Sequence, residues 1–336
     1  EYGRVDRVAG WFLLARMYLN AQTWINENKY QEAYAYAVKV IADGHYPLAS
    51  DYREIFLADN NTCKEIIWPL VQDGLRAQSS AGTNFYVKAF VNGPMDELYK
   101  TGVGSRGWGN VRAKVSLVDA FDADDVMFDG NDTWGNNKKD KRAQFMTALP
   151  NQVKDTWDVN MDMTSTFTCG YGYIKWRNVT KEDELCPSGD AYTSIDFPLF
   201  RTADAYLMAA EAILRGANGT QSEALGYVNE VRTRAYMSGK YARNGVRSDV
   251  SGEITASELN LDFLLVERQK ELASELTRRT DLIRFGKYTK GNNWDWKNGV
   301  RLGADVDDKY NLFPIPESEL TNNPTLVQND GYKVIK

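Results

Sequence analysis

The chain has 336 residues, 43% of them hydrophobic, and a net charge of −6. That length supports a sizeable core and one or two domains. The acidic balance offers no basic footprint for nucleic acid, and no run reaches the roughly 18–20 apolar residues of a bilayer-spanning helix. Cys63, Cys169 and Cys186 are odd in number and lack metal spacing, which argues against a disulfide framework. A lone histidine, His45, reads as a turn residue and argues against a multi-histidine metal site or acid–base centre.

In chain order, Val8, Trp11, Phe12, Ala15 and Leu19 form one helical stripe, and Tyr30, Ala33, Tyr34, Ala37, Val38 and Ile41 a second. Gly44 stops the second helix, and the connection at 20–28 is longer than in a regular repeat. Tyr52, Ile55 and Phe56 are expected to add a turn against this hairpin. The segment KEIIWPL (64–70) reads as a strand or extended run in which Pro69 permits only an edge or an end.

Residues 72–196 change character. Gly, Asn, Asp and Thr punctuate them, and helical periodicity is scarce apart from 115–121 and 138–146. A tract of this length inside a compact protein is usually functional or disordered. The interleaved Phe85, Tyr86, Trp108, Trp134, Trp157, Tyr171, Tyr173 and Trp176 argue for an ordered, aromatic-bearing surface. Carbohydrate binding needs this combination: a flat ring covers the C–H face of a sugar while polar neighbours take its hydroxyls. Trp108 with Arg106 and Asn110, and Trp134 with Asn131, Asp132 and Asn136, are the leading platforms. Phe85, Tyr86 and Tyr171 complete the candidate ligand-binding set. Trp157 and Trp176 have a second reading, as plugs that hold the tract onto a scaffold. The acidic run Asp119, Asp122, Asp124, Asp125, Asp129 and Asp132 is similar to a calcium loop around FDGNDTW, but no Glu stands at the twelfth position, so a solvated loop is preferred. Glycines 102, 104, 107 and 109 lack the strand–helix context of a nucleotide site.

Residues 197–235 give the clearest pattern. Tyr206, Ala209, Ala210 and Ile213 form one stripe, Asn218-Gly219 a turn, and Thr220 with Glu223 a capping box. Ala224, Val228, Val231 and Ala235 form the matching stripe. This is a helical hairpin of tetratricopeptide (TPR) type. Two such helices cannot bury their faces alone, and the N-terminal hairpin is the other copy, so the pattern describes a helical scaffold with a large insertion. Thr255 and Glu258 form a further capping box before a helix carrying Leu261, Leu264, Leu265, Leu272 and Leu276. Gly286 closes the next short helix, and Pro314, Pro316 and Pro324 keep the tail irregular. Glu267, Arg268, Glu271, Glu275, Arg278, Arg279, Asp281 and Arg284 form a dense charged cluster. Glu267 and Glu271, one turn apart, suggest a catalytic pair. An ion network tying this helix to the tail and hairpin is the preferred reading, because close cations keep carboxylates ionised whereas a general acid needs a raised pKa.

The hairpin at 197–235 resembles the C-terminal signature of the SusD/RagB family, surface lipoproteins that partner TonB-dependent transporters in Bacteroidetes-type bacteria. LLVERQKELASELTRRTDLIRFGKY (264–288) is similar to the family's ER-x-x-EL…R-x-DLIR-x-G segment, LFPIPESELTNNPTLVQNDGY (312–332) to its PIP…NP-x-L-x-QN-x-GY close, and KEIIWPL to its EIIW-type segment. One departure lies in SLVDAFDADDVMF, where Val126 and Met127 follow Asp125 in place of an expected Asp-x-Arg. The resemblance implies a mainly α fold, a TPR-like helical hairpin scaffold with a long irregular aromatic-rich insertion. It organises the chain as a single domain over 1–336 lacking its N-terminal part: a hairpin at 1–60, a ligand-facing insertion at 72–196, a hairpin and helices at 197–286, and an irregular tail at 287–336. It also implies oligosaccharide capture for a SusC-like TonB-dependent transporter, with no catalysis, cofactor or metal. Such a protein is lipid-anchored at the outer-membrane cell surface, with its export signal and anchoring cysteine outside this chain. Three alternatives stand beside it: a peptide-binding uptake lipoprotein of the same architecture, a glycoside hydrolase with an aromatic cleft, and a TPR scaffold that binds only protein.

Overall fold

The computed structural model describes residues 2–91, 100–126, 137–146, 171–243, 249–294 and 296–333. The chain divides into two compact units, 1–275 and 276–336. In the first, α1 (Arg7–Ile25) begins where Asp6 accepts the Ala9 N–H and ends at Asn26 in the left-handed region, φ 54°. The helix therefore runs through most of the expected 20–28 connection, because residues 20–25 contain no breaker. α2 (Tyr30–Asp43) follows after a short link and ends at Gly44, φ 77°. The next elements are β1 (Ile66–Leu70), α3 (Thr83–Ala89), α4 (Val115–Val118), α5 (Ala123–Val126), β2 (Phe145–Met146), β3 (Gly172–Tyr173) and β4 (Phe197–Arg201). Then come α6 (Thr202–Leu214), α7 (Gln221–Ala235) and α8 (Leu261–Leu272). Among the described residues β1 pairs antiparallel with β4 alone, with Pro69 opposite Pro198, the two residues without N–H groups facing each other.

α6 joins the two hairpins. Its Ala205, Met208, Ala209 and Ala212 share a core with Val8, Phe12 and Ala15 of α1 and Ala33 and Ala37 of α2. Its Ala203, Leu207, Ala210 and Ile213 share another with Ala224, Val228 and Val231 of α7 and Leu264 of α8. Two stripes at helical spacing thus bury α6 on both sides, and its small side chains let helices approach from each. The single stripe read from sequence mixed these faces, and Tyr206 sits half-buried with its ring edge-on to Tyr227. α7 starts at the expected Thr220–Glu223 capping box. Of the Thr255–Glu258 box only half is formed: Glu258 accepts from the Thr255 N–H and hydroxyl, while its own N–H donates to the Thr255 carbonyl and closes a turn. α8 is capped instead by Asn260, which accepts the Phe263 N–H at 2.9 Å.

The described part of the 72–196 tract carries several short elements. It contains α3, and the expected helix at 138–146 is a turn leading into β2. Tyr52, Ile55 and Phe56 are buried as expected, though beneath the tract rather than against the first hairpin. They pack with Val87, Ile174, Trp176 and Phe197. Trp176 stacks on Phe197 at 5.5 Å and meets Phe56 edge-on at 4.9 Å, so it is a plug in this core.

In the second unit, α9 (Arg278–Arg284) closes before Gly286, φ 67°. Leu276, expected on the α8 stripe, lies beyond that helix and is 76% exposed. The tail holds the short α10 (Glu317–Asn322) and is tied by side chains: Gln328 brackets the Ile315 main chain with bonds of 2.8 and 2.9 Å, and Arg279 lies 4.2 Å over the Phe313 ring.

Candidate ligand-binding site

The exposed aromatic surface of the described tract is assembled on α3. Thr83 donates its hydroxyl to the Ile195 carbonyl at 2.7 Å and fixes the helix to the 188–196 segment. From this anchor Phe85 points outward, 44% exposed, whereas Tyr86 turns inward onto Trp176 and Phe197 at 5.3 and 5.6 Å. The last carbonyls of a helix have no intrahelical donor. Here the loop at 108–111 supplies them. Trp108 N–H donates to Lys88 at 2.7 Å, and the Asn110 and Val111 N–H groups both donate to Ala89 at 2.8 Å. Gly109 N–H donates to Val91 at 2.7 Å. Trp108 is thereby fixed at the end of α3, 38% exposed, with its ring 6.2 Å from Phe85 and tilted by 60°. Arg106 lies beside it, exposed and donating to Asp190 at 3.0 Å, and Asn110 is exposed.

Phe85, Arg106, Trp108 and Asn110 therefore come together on one surface. Two other candidates do not lie open to solvent. Tyr171 is 5% exposed and packs with Phe121, Phe145 and Tyr173, and Tyr86 is held half-buried by Trp176. Their spacing among polar residues looked like a loop surface, but Tyr86 on α3 and Tyr171, just before β3, both pack inward. Asn131, Asp132 and Trp134 lie outside the described residues, as do Trp157 and the whole FDGNDTW run. The structure adds two neighbours that sequence reasoning missed. Lys88 has its ammonium 5.9 Å from the Trp108 ring and 5.7 Å from that of Tyr192. Burial and the nearby Arg106 push the Lys88 amine down, with Asp190 opposing them. A lysine on a short helix carries no sequence signal for such a role.

The carboxylates proposed as a catalytic pair are fully enclosed. Arg142 Nη1 lies 2.6 Å from Glu267 and 3.2 Å from Glu271, and Arg232 lies 2.6 Å from Glu267. Glu271 also accepts from Arg201 at 2.6 Å and from Arg234. Glu65 and Glu275 close the network through Arg201, and Lys175 reaches Glu275 at 2.5 Å. Burial alone would raise the Glu271 carboxyl, but Arg234, Arg201 and Arg142 outweigh it and hold it at about 2. For Glu267, burial is likewise outweighed by Arg142 and Arg232. The ion-network reading thus holds for Glu267, Glu271 and Glu275, with one correction. Arg201, Arg232 and Arg234 come from the hairpin stretch, as expected, whereas Arg142 and Lys175 come from the 72–196 tract. A separate cavity of about 220 Å³ is lined by Asp51, Arg53, Glu54, Leu57, Lys181, Asp183 and Arg243. It has no ring among its walls and its arginines are already paired, Arg53 with Asp51 at 2.5 Å and Arg243 with Glu54 at 3.1 Å.

Residues 64–332 match the model of the SusD family. The chain belongs to the SusD family. This SusD-family chain is 33% identical over 99% of its length to the starch-binding protein SusD of Bacteroides thetaiotaomicron, and 25% identical over 98% to a SusD-like protein of Formosa agariphila. It spans 61% and 59% of those two proteins. Among solved structures, a SusD-like protein from Bacteroides fragilis superposes with a TM-score of 0.66 at 22% identity, covering 99% of this chain and 66% of that one. Surface glycan-binding protein A from Bacteroides thetaiotaomicron, in complex with laminarihexaose, gives 0.63 at 21%, covering 98% and 65%. These likenesses agree on a mainly α-helical scaffold of TPR-like hairpins.

Proposed function

We propose that the chain is the larger part of a non-catalytic surface protein that captures oligosaccharides and passes them to a SusC-like TonB-dependent transporter. The observation that carries this reading is the Phe85–Trp108 pair: two exposed rings on a braced loop, with Arg106 and Asn110 beside them. Rings so held lose little freedom on binding and cover sugar C–H faces, while the amide and guanidinium take hydroxyls. One relative is named for binding starch and a structural neighbour is titled as a complex with laminarihexaose, which supports a glycan over a peptide. Asn131, Asp132 and Trp134 remain part of the proposed surface on composition. Anchoring at the outer-membrane surface by a lipid belongs to the same proposal.

Calorimetric titration with maltohexaose and laminarihexaose tests it. A micromolar to millimolar Kd is expected, about −4 to −8 kcal/mol, little changed by added salt because a neutral sugar carries no charge to screen. Trp108→Ala should remove most of the binding while the protein stays folded. Failure of both sugars to bind, or a Trp108→Ala protein that binds like the parent, overturns this site. Binding that collapses with salt would favour an anionic glycan or a peptide.

A further inference from the structure

Lys88 is only 7% exposed, yet among the described residues its ammonium makes no ion pair. A buried charge without compensation is costly. The compensation comes from three places. The ammonium donates to the Ala191 carbonyl and lies within cation–π reach of Trp108 on one loop and Tyr192 on another. The main chain of the same residue accepts the Trp108 N–H. Lys88 thus joins three segments: α3, the loop at 104–111, and the loop at 188–192, which Arg106 and Asp190 tie together from the side. Tyr192 is half-buried, with part of its surface open.

Resting on the glycan-binding reading above, we infer that Lys88 is the positioning residue of the platform and that Tyr192 is a third ligand-facing ring, beyond the Phe85–Trp108 pair. The ammonium sets the separation of the Trp108 and Tyr192 rings, so a longer oligosaccharide reaches Tyr192 as well and a short one stays on the Phe85–Trp108 pair. The main chain braces Trp108 whatever side chain stands at 88. The ammonium is what ties Trp108 to Tyr192.

The test compares maltose with maltohexaose by calorimetry, in the parent, Lys88→Met, Lys88→Arg, Tyr192→Ala and Trp108→Ala, with a thermal melt of each. Lys88→Met and Tyr192→Ala should each weaken maltohexaose about five- to tenfold and leave maltose within about twofold, one ring contact being lost. Lys88→Arg should bind like the parent, since a guanidinium keeps both the cation and the donor. A merely structural role for Lys88 would lower the melting temperature and weaken both sugars in the same ratio, and that result overturns the inference. So does parent-like maltohexaose binding by Lys88→Met or Tyr192→Ala while Trp108→Ala has lost it, an outcome that leaves the site itself standing. If the parent binds neither sugar, or Trp108→Ala binds normally, the site is misplaced and the inference falls with it.

Discussion

Arg201 grips Glu271 twice. Its Nη1 lies 2.6 Å from the Glu271 carboxylate and its Nη2 donates to the Glu271 main-chain carbonyl at 2.7 Å, locking the end of β4 to the end of α8. Both side chains are enclosed, so removing Glu271 takes a carboxylate from Arg201, Arg234 and Arg142 at once and leaves the buried network short of a negative charge. Breaking a buried pair in this way typically costs on the order of 3–5 kcal/mol. Glu271→Ala should lower stability by about that amount and Glu271→Gln by less, since the amide oxygen still accepts one hydrogen bond. Chemical denaturation checks this, and glycan affinity per folded molecule should not change. A variant that keeps its stability but loses binding would make Glu271 part of the site.

The same network predicts an acid limb. Glu271, Glu267, Asp204 and Asp140 all sit below their ordinary values in the folded chain, because burial is outweighed by neighbouring arginines and, for Asp140, by Lys270 as well. The unfolded chain therefore binds more protons between the two sets of values. The stability Glu271 supplies is complete above pH about 4.5 and is lost as pH falls towards about 2, and Glu267, Asp204 and Asp140 add to the loss on the acid side. For Glu271 alone, a depression from 4.5 to about 2 corresponds to on the order of 3 kcal/mol. Urea melts at pH 7, 4 and 3 should show this decline, shallower in Glu271→Gln. A stability unchanged down to pH 3 would contradict it.

The scaffold was legible because helical stripes, Gly44, and the Thr220–Glu223 box are local signals, each read within one or two turns. What joins the pieces was not. Nothing in the sequence says that α6 receives α2 on one face and α7 on the other, since alanines satisfy both. The ion network was read from alternating charges as tying this helix to the tail and hairpin, and Arg201, Arg232 and Arg234 do come from the hairpin stretch, but Arg142 and Lys175 reach it from elsewhere. Arg142 and Lys175 even come from the tract taken to face the ligand. Loop aromatics were recognised as a class, but not which way they turn. Trp108 faces out and Tyr171 in because of backbone pairing that composition does not encode.

The loop bearing Trp108 also depends on a glycine. Gly102 has φ 77°, and a Cβ there would lie 2.5 Å from the Asn178 carbonyl oxygen, a main-chain atom that cannot swing aside. Asn178 in turn donates to the Gly102 carbonyl at 3.0 Å. Gly102→Ala should cost on the order of 2 kcal/mol from the left-handed conformation and the clash together, and should weaken maltohexaose by displacing the 104–111 loop. Gly44→Ala, also at positive φ but with open space around its Cβ, is the control. It should lose stability and keep its affinity. Equal affinities in the two variants would mean that the 104–111 loop does not present the ligand.

Any bound oligosaccharide should leave intact. Hydrolysis of a glycosidic bond needs two carboxyl groups about 5–10 Å apart across the substrate, one of them protonated at working pH. Glu267 and Glu271 share one arginine and are buried, so a sugar cannot reach them, and their depressed carboxyls cannot hold a proton near neutrality. At the Phe85–Trp108 surface the nearest described carboxylate is Asp190, paired with Arg106 at 3.0 Å. One exposed carboxylate held in an ion pair with Arg106 lacks the second carboxyl that the chemistry requires. Maltohexaose incubated overnight with an equimolar amount of protein should give no shorter products on chromatography. Products that appear with the parent and vanish on changing a single Asp or Glu would identify a catalytic carboxyl and overturn the binding-only reading.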